Sequence, residues 1–192
     1  LGTDALYIVA QIVVALQGIV TRTTSPIDPV VIGVGILHAG TSYNIVSGSG
    51  VIEGTTRTTS TKTRQEVKEK VERTAKNIAE IYGGNAEVIW TDYTSPLIND
   101  EKVSSEVREI IGDILGENAA KTRPISLGGD NFAEFILEIP GAYAYLGTSN
   151  EAIPNSLRQI HNEGFDIDEN ALDIGAALYA EYALRWLNAS FK

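Results

Sequence analysis

Val30-Val31-Ile32-Gly33-Val34-Gly35-Ile36-Leu37 is a nearly continuous apolar run with the composition of a strand. Ala39-Gly40-Thr41-Ser42 follows it and reads as a turn. A second extended segment then covers Asn44–Thr58, with Gly48 and Gly50 as candidate bends or bulges. Helical patterns flank this pair. Upstream, Thr3 is a candidate N-cap, with Asp4 favourable in the first turn. Ala5, Ile8, Val9, Ile12, Val13 and Leu16 follow at helical spacing, and Gly18 marks the expected stop. Thr21–Pro29 carries two prolines and reads as a connecting loop. Downstream, Thr63 and Glu66 have capping-box spacing. Val67, Val71, Ala75, Ile78 and Tyr82 form an apolar stripe that Gly83-Gly84 ends, and Ala86–Trp90 predicts a short strand.

The order is therefore helix, strand, strand, helix, strand. A ferredoxin-like unit is strand, helix, strand, strand, helix, strand. The first part of this chain matches that unit without its first strand. After Asp92 the pattern changes. Pro96 and Asn99-Asp100 make a linker, and Val103, Val107, Ile110, Ile111 and Ile114 share one helix. Pro124–Leu127 predicts a strand ending at Gly128-Gly129, Phe132–Ile139 a short helix stopped by Pro140, and Ala142–Leu146 another strand. Thr148–Gly164 is a long loop, of a length that in compact domains marks function or disorder. Asp168 is the expected cap of a last helix burying Leu172, Ala176, Tyr179, Ala183, Trp186 and Leu187. Alternating helix and strand indicates an α/β class, although two strands make a poor sheet and this part also reads as incomplete.

Composition narrows the functional classes. Residues 1–91 carry 8 basic and 8 acidic side chains, whereas residues 92–192 carry 7 and 17, which supplies the whole net charge of −10. The break near Asp92 is a candidate domain boundary, dividing residues 1–91 from 92–192. The acidic balance argues against nucleic acid and anionic membrane as partners, because both need clustered Lys and Arg. Without cysteine there is no disulfide framework and no thiolate site. Ala5–Val20 is interrupted by Gln11 and Gln17, falls short of the ~20 apolar residues of a membrane span, and lacks the flanks of a signal peptide. A buried helix and a cytoplasmic location are the expectation. The chain has no Met and starts at Leu1 directly on a helix N-terminus, which is unusual for a native start.

Six segments in one order carry a family resemblance. They are Gly2-Thr3-Asp4-Ala5; Gly40-Thr41-Ser42-Tyr43-Asn44-Ile45-Val46; Glu53-Gly54-Thr55-Thr56-Arg57-Thr58; Gly128-Gly129-Asp130-Asn131-Phe132-Ala133; Pro140-Gly141-Ala142-Tyr143-Ala144-Tyr145-Leu146-Gly147; and His161-Asn162-Glu163-Gly164-Phe165-Asp166. Together they resemble the C-terminal half of the zinc-dependent amidohydrolases and carboxypeptidases that include aminoacylase and the auxin-conjugate hydrolases. The resemblance implies a two-metal α/β catalytic domain interrupted by a ferredoxin-like lid that also makes a homodimer. Residues 1–91 would then be the lid and residues 92–192 the returning catalytic domain.

By the same resemblance, His161 matches the last metal-binding histidine. Asn44 and Arg57 match lid residues that hold the substrate carboxylate and help polarise the scissile carbonyl. Arg suits the carboxylate because its planar fork binds both oxygens. The family's other metal ligands and its catalytic Glu precede the lid and would lie upstream of Leu1. The implied cofactors are two divalent metal ions, Zn foremost, with Mn or Co as alternatives. The implied substrate is an N-acyl amino acid or a peptide-like conjugate. This chain would be a fragment, inactive alone. It departs from the family at Asn131, where an acid is usual, and at Val46-Ser47-Gly48.

Plainer readings stand beside these. A lone loop histidine such as His161 is ordinarily a surface residue. His38, at a strand end, reads as structural. Gly128-Gly129 lacks the Lys and spacing of a phosphate loop, and Asp166, Asp168 and Glu169 lack the offsets of a calcium loop. Lys62 to Lys76 reads as a solvated helix face with i,i+4 pairs. The alternative to a hydrolase is a catalytically silent dimerisation or binding module.

Overall fold

The computed structural model describes residues 2–188. Its first helix, α1 (Ala5–Arg22), begins one residue later than the cap expected at Thr3. Asp4 is the N-cap, and its carboxylate accepts from the Leu6 and Tyr7 amides. An acid there satisfies orphan donors and faces the positive end of the helix. Thr3 instead donates its hydroxyl to the Gly83 carbonyl at 3.0 Å. Gly18 does not stop the helix. Ile19, one residue beyond it, is 4% exposed, and burying it holds another turn in place. The helix closes where the Thr23 and Thr24 hydroxyls donate to the Ile19 carbonyl. By length and composition alone α1 could cross a membrane, but Ile8, Val9, Ile12, Leu16 and Ile19 are buried.

Strands β1 (Val30–Ala39) and β2 (Gly50–Thr58) form an antiparallel hairpin, registered from Val30 opposite Thr58 to Ala39 opposite Gly50. The ladder slips between Val34 and Ile36, leaving Gly35 as a bulge. The second strand starts at Gly50 rather than Asn44. Residues 44–49 are diverted into a loop by buried Ser47, whose hydroxyl accepts from the Gly40 amide and donates to the Ser49 carbonyl. Its carbonyl accepts from the Ala5 amide at 2.8 Å.

Helix α2 (Thr61–Ile81) is capped by Ser60, not by Thr63. The Ser60 hydroxyl accepts from the Thr63 amide and donates to the Thr63 hydroxyl. Val67, Val71, Ala75 and Ala79 are its buried stripe, and Tyr82 closes it edge-on against Tyr7. Together with Ile8, Ile12, Leu16, Ile19, Val30 and Ile32 this stripe makes one apolar core. Ala86, Val88 and Trp90 pack on that core at alternate positions, with Glu87 and Ile89 turned outward. The segment is strand-like in its side chains but belongs to no ladder, so the strand expected there does not form.

Two compact units divide the chain: Leu1–Leu97 with Ile125–Ala133, and Ile98–Pro124 with Glu134–Lys192. Asp92, at the charge break, is tied into the first unit by Arg64 and Lys68.

The second unit is built differently. Helix α3 (Glu101–Leu115) is capped by Asp100 and buries Ile110. Helix α5 (Asn170–Leu187) lies against α3, but not with the predicted stripe. Leu172, Ala176, Tyr179, Ala183, Trp186 and Leu187 are all exposed. Ala171, Ile174, Leu178, Tyr182 and Arg185 turn inward instead. The helix is apolar on two faces, and the inner one ends in polar links. Tyr182 donates to Glu106, and Arg185 pairs with Glu109, Asp113 and Glu181. The short helix α4 (Phe132–Glu138) starts where Asp130 accepts from the Phe132 amide and stops before Pro140, close to expectation. The strands predicted at Pro124–Leu127 and Ala142–Leu146 do not form. A strand needs a neighbouring edge to pair with, and the only sheet among the described residues is β1–β2.

Candidate functional site

Arg57 stands near the end of β2, opposite Val31 in the ladder. Thr56 and Thr58 are half-buried towards the helices, so the odd positions Glu53, Thr55 and Arg57 occupy the other face of the hairpin. The Arg57 guanidinium donates to the Leu127 carbonyl at 3.1 Å. This holds Arg57 beside the Gly128-Gly129-Asp130 turn, where the Thr94 hydroxyl also donates to the Asp130 carbonyl. A side chain on Gly129 would run into the Thr94 methyl, at 2.9 Å. The glycine pair therefore serves close packing of this turn.

Asn44 lies in the loop after β1 and accepts from the Ser42 hydroxyl at 2.9 Å. That loop is pinned to the start of α1 through Ser47 and Ala5. Arg57 lies seven ladder positions from the Gly50 end, about 23 Å at the usual rise of a strand. The hairpin thus places the two predicted carboxylate-holding residues at its opposite ends.

His161 belongs to the second unit. The loop carrying it is ordered rather than loose, around residues that periodicity did not flag. Pro154–Leu157 forms a single 3-10 turn. Within it Ser156, 2% exposed, accepts from the Asn150 amide at 2.8 Å and donates back to the Asn150 and Ile153 carbonyls. Asn150 in turn donates to Asp168 at 2.7 Å. That bond, followed by one from the Asn170 amide, holds the Asp168 carboxyl below its ordinary range. Asp168 thus caps the start of α5 from one residue before the helix boundary, where Glu169 makes no side-chain bond. Pro154 and the Ser/Asn pair after it were the available sequence signal for this turn.

His161 itself is exposed and takes a left-handed backbone, φ 69°, a conformation uncommon for a non-glycine residue. The next residues stabilise it. The Asn162 side-chain oxygen accepts from the Gly164 amide at 3.0 Å and from Arg158 at 3.4 Å, and the Phe165 amide closes on the Asn162 carbonyl. Any side chain on Gly164 would overlap the Arg158 guanidinium. Among the described residues no three His, Asp or Glu side chains converge into a metal cluster. The imidazole is held in a defined turn, but alone, and these residues do not by themselves fit a metal centre.

Peptidase family M20/M25/M40 matches residues 7–185, a span that runs through both units. The chain belongs to this family. It is 32% identical over 186 residues to thermostable carboxypeptidase 2 of Saccharolobus solfataricus, covering 96% of this chain and 46% of that protein. It is 31% identical over 193 residues to N-acetyl-L-cysteine deacetylase of Bacillus subtilis, covering 98% and 44%. Among solved structures, the Bacillus subtilis YXEP protein, described as a dinuclear metal binding peptidase, superposes with a TM-score of 0.80 at 30% identity. That match covers 96% of this chain and 47% of the other. The chain spans just under half the length of the relatives it matches. The family resemblance drawn from the six segments is thereby correct, as is the mixed α/β fold.

Proposed function

We propose that this chain supplies the lid and the returning part of the catalytic domain of a metal-dependent amidohydrolase or carboxypeptidase. The match of one hydrolase family across both units carries the reading. Relatives named for C-terminal peptide cleavage and for removal of an N-acetyl group support an amide substrate ending in a free carboxylate, an N-acyl amino acid or a peptide. In this reading residues 1–91 form the lid and residues 92–192 the catalytic part.

Arg57 binds the substrate carboxylate with its planar fork. Asn44 donates to a carbonyl or carboxylate oxygen, and His161 is a metal ligand held by the Asn162 turn. The dinuclear neighbour supports two divalent ions, with zinc as the first choice. His161 is the one candidate metal ligand among the residues assigned in this chain. Asn44 and Arg57 stand too far apart in one hairpin to grip the same carboxylate. This supports a homodimer in which a second lid completes the grip. The setting is cytoplasmic, without nucleic acid or membrane partners.

The reading is tested in the complete polypeptide with an N-acetyl amino acid as substrate. His161→Ala should lower bound metal and reduce kcat/KM by about 10- to 100-fold or more. Arg57→Ala should act mainly through KM, because it removes a carboxylate contact shared by ground and transition states. Unchanged metal content in His161→Ala would remove it from the ligand set. Turnover by this chain alone would refute its reading as an incomplete catalyst.

A further inference from the structure

Arg57 is an exposed side chain, yet one of its N–H donors is already engaged. Its Nη1 donates to the Leu127 carbonyl at 3.1 Å. That bond leaves the Nε–Nη2 edge open. Such an edge carries two parallel N–H groups, which match both oxygens of a carboxylate.

Leu127 sits in a strap, residues 125–130, that has neither helix nor strand. The strap is fixed where the Asp130 carbonyl accepts from the Thr94 hydroxyl at 2.9 Å and from the Ala133 amide at 3.1 Å. Nearer Leu127, the Ser126 hydroxyl accepts from the Gly128 amide at 3.1 Å and tightens the turn. Gly129 lets the strap approach Thr94, because a Cβ there would meet the Thr94 methyl at 2.9 Å. Thr94 is itself held from both sides. Asp92 pairs with Arg64 and Lys68, and the Ser95 hydroxyl accepts from Arg64 at 3.1 Å. Arg64 and Lys68 belong to the first turns of α2, whose cap Ser60 follows Arg57 by three residues. The contacts thus close a ring, from β2 through α2, residues 92–95 and the strap back to the Arg57 guanidinium.

A free arginine loses its rotamer freedom when it grips a ligand. One that is held beforehand has lost that freedom before the substrate arrives, so more of the carboxylate contact appears as affinity. We propose that Thr94, acting through the strap from Asp130 to Leu127, is a positioning residue for Arg57 and sets the preference of the site for a free carboxylate. This role rests on the reading of Arg57 as the carboxylate-binding residue.

The test uses the complete polypeptide with an N-acetyl amino acid and the same compound capped as a C-terminal amide. Thr94→Val keeps the methyl and deletes the hydroxyl, and the Asp130 carbonyl is left with the Ala133 amide. It should raise KM for the acid about tenfold with kcat unchanged. Binding of the capped compound, read as competitive inhibition, should not move. Gly129→Ala, which presses the strap away from Thr94, should do the same. Thr94→Ser restores the hydroxyl and should recover most of the lost affinity. In an Arg57→Ala background Thr94→Val should change KM no further, because residues that act through one contact are not additive. Equal losses on acid and capped compound, or a Thr94→Val effect undiminished without Arg57, would overturn the positioning role and leave Arg57 in the site. An Arg57→Ala variant that keeps the full preference for the acid would instead remove Arg57 from the site, and the role of Thr94 with it.

Discussion

The two units stabilise themselves by different means. In the first, ten buried apolar residues from two helices and a hairpin close on one another. In the second, Ile110 and Ala171 are the buried apolar residues of α3 and α5. The inner face of α5 is secured to α3 by a phenol and a guanidinium instead. Apolar burial is worth about 25 cal/mol per Å² whatever the direction of contact, whereas exposed ion pairs contribute little each and depend on salt. The first unit has the ingredients of an autonomous fold. The second has a scaffold of polar links beneath an apolar helix face that remains exposed.

The contrast is open to direct attack, since each unit carries one tryptophan, Trp90 and Trp186. Fluorescence of Trp90→Phe or Trp186→Phe backgrounds follows the units separately. The largest effect is expected from Ile12→Ala, which empties a 5%-exposed core position and should cost about 2–5 kcal/mol in denaturant unfolding of the first unit. Leu184→Ala on the outer face of α5, 56% exposed, should move the second unit by no more than about 0.5 kcal/mol. Comparable losses at the two positions would erase the distinction.

A middle effect is expected at Ser156→Ala. It leaves the half-buried Asn150 amide without its acceptor, a local loss of about 1–3 kcal/mol. Amide exchange at Asn150 and faster proteolysis between residues 148 and 168 would register it, and an unchanged loop would show that Ser156 does not anchor the turn.

A smaller effect than that of Ser156→Ala is expected from Tyr182→Phe, which removes the bond to Glu106 and should cost about 0.5–1.5 kcal/mol. Burial first, then that carboxylate, pushes the phenol from 10.0 up to about 12. A raised pKa means the folded form holds its proton longer. The contribution is therefore complete below pH 10 and is lost as pH rises towards 12. The Trp186 signal should show alkaline loosening across that window that the Phe variant lacks.

What the sequence disclosed follows the same divide. Val67, Val71 and Ala75 on α2 were legible because that helix has a single apolar stripe and polar residues elsewhere. In contrast, α1 is apolar on most sides, with Leu6, Tyr7 and Val14 exposed, and Ile8, Ile12 and Leu16 were legible by their helical spacing alone. α5 was misread because it is apolar on two faces, and periodicity does not say which one turns inward. Ser60 and Thr63 compete for the same cap three residues apart, and only the backbone decides between them. The extended segments at 86–90 and 142–146 look like strands in composition, yet pairing depends on distant edges that local pattern does not encode. His161 was found through its neighbours, Asn162 and Gly164 among them, while the Ser156 and Asp168 anchors that steady it carried no periodic signal.

Gly35 gives the hairpin one residue too many, and the result is a change of parity. Before it, even-numbered residues Val30, Ile32 and Val34 face the helices. After it, Leu37 takes that side opposite Ile52, and His38, opposite Val51, is moved to the other. His38 shares the face of Arg57. Deleting this one glycine would straighten the ladder and leave His38 opposite Val51, on the face it already occupies.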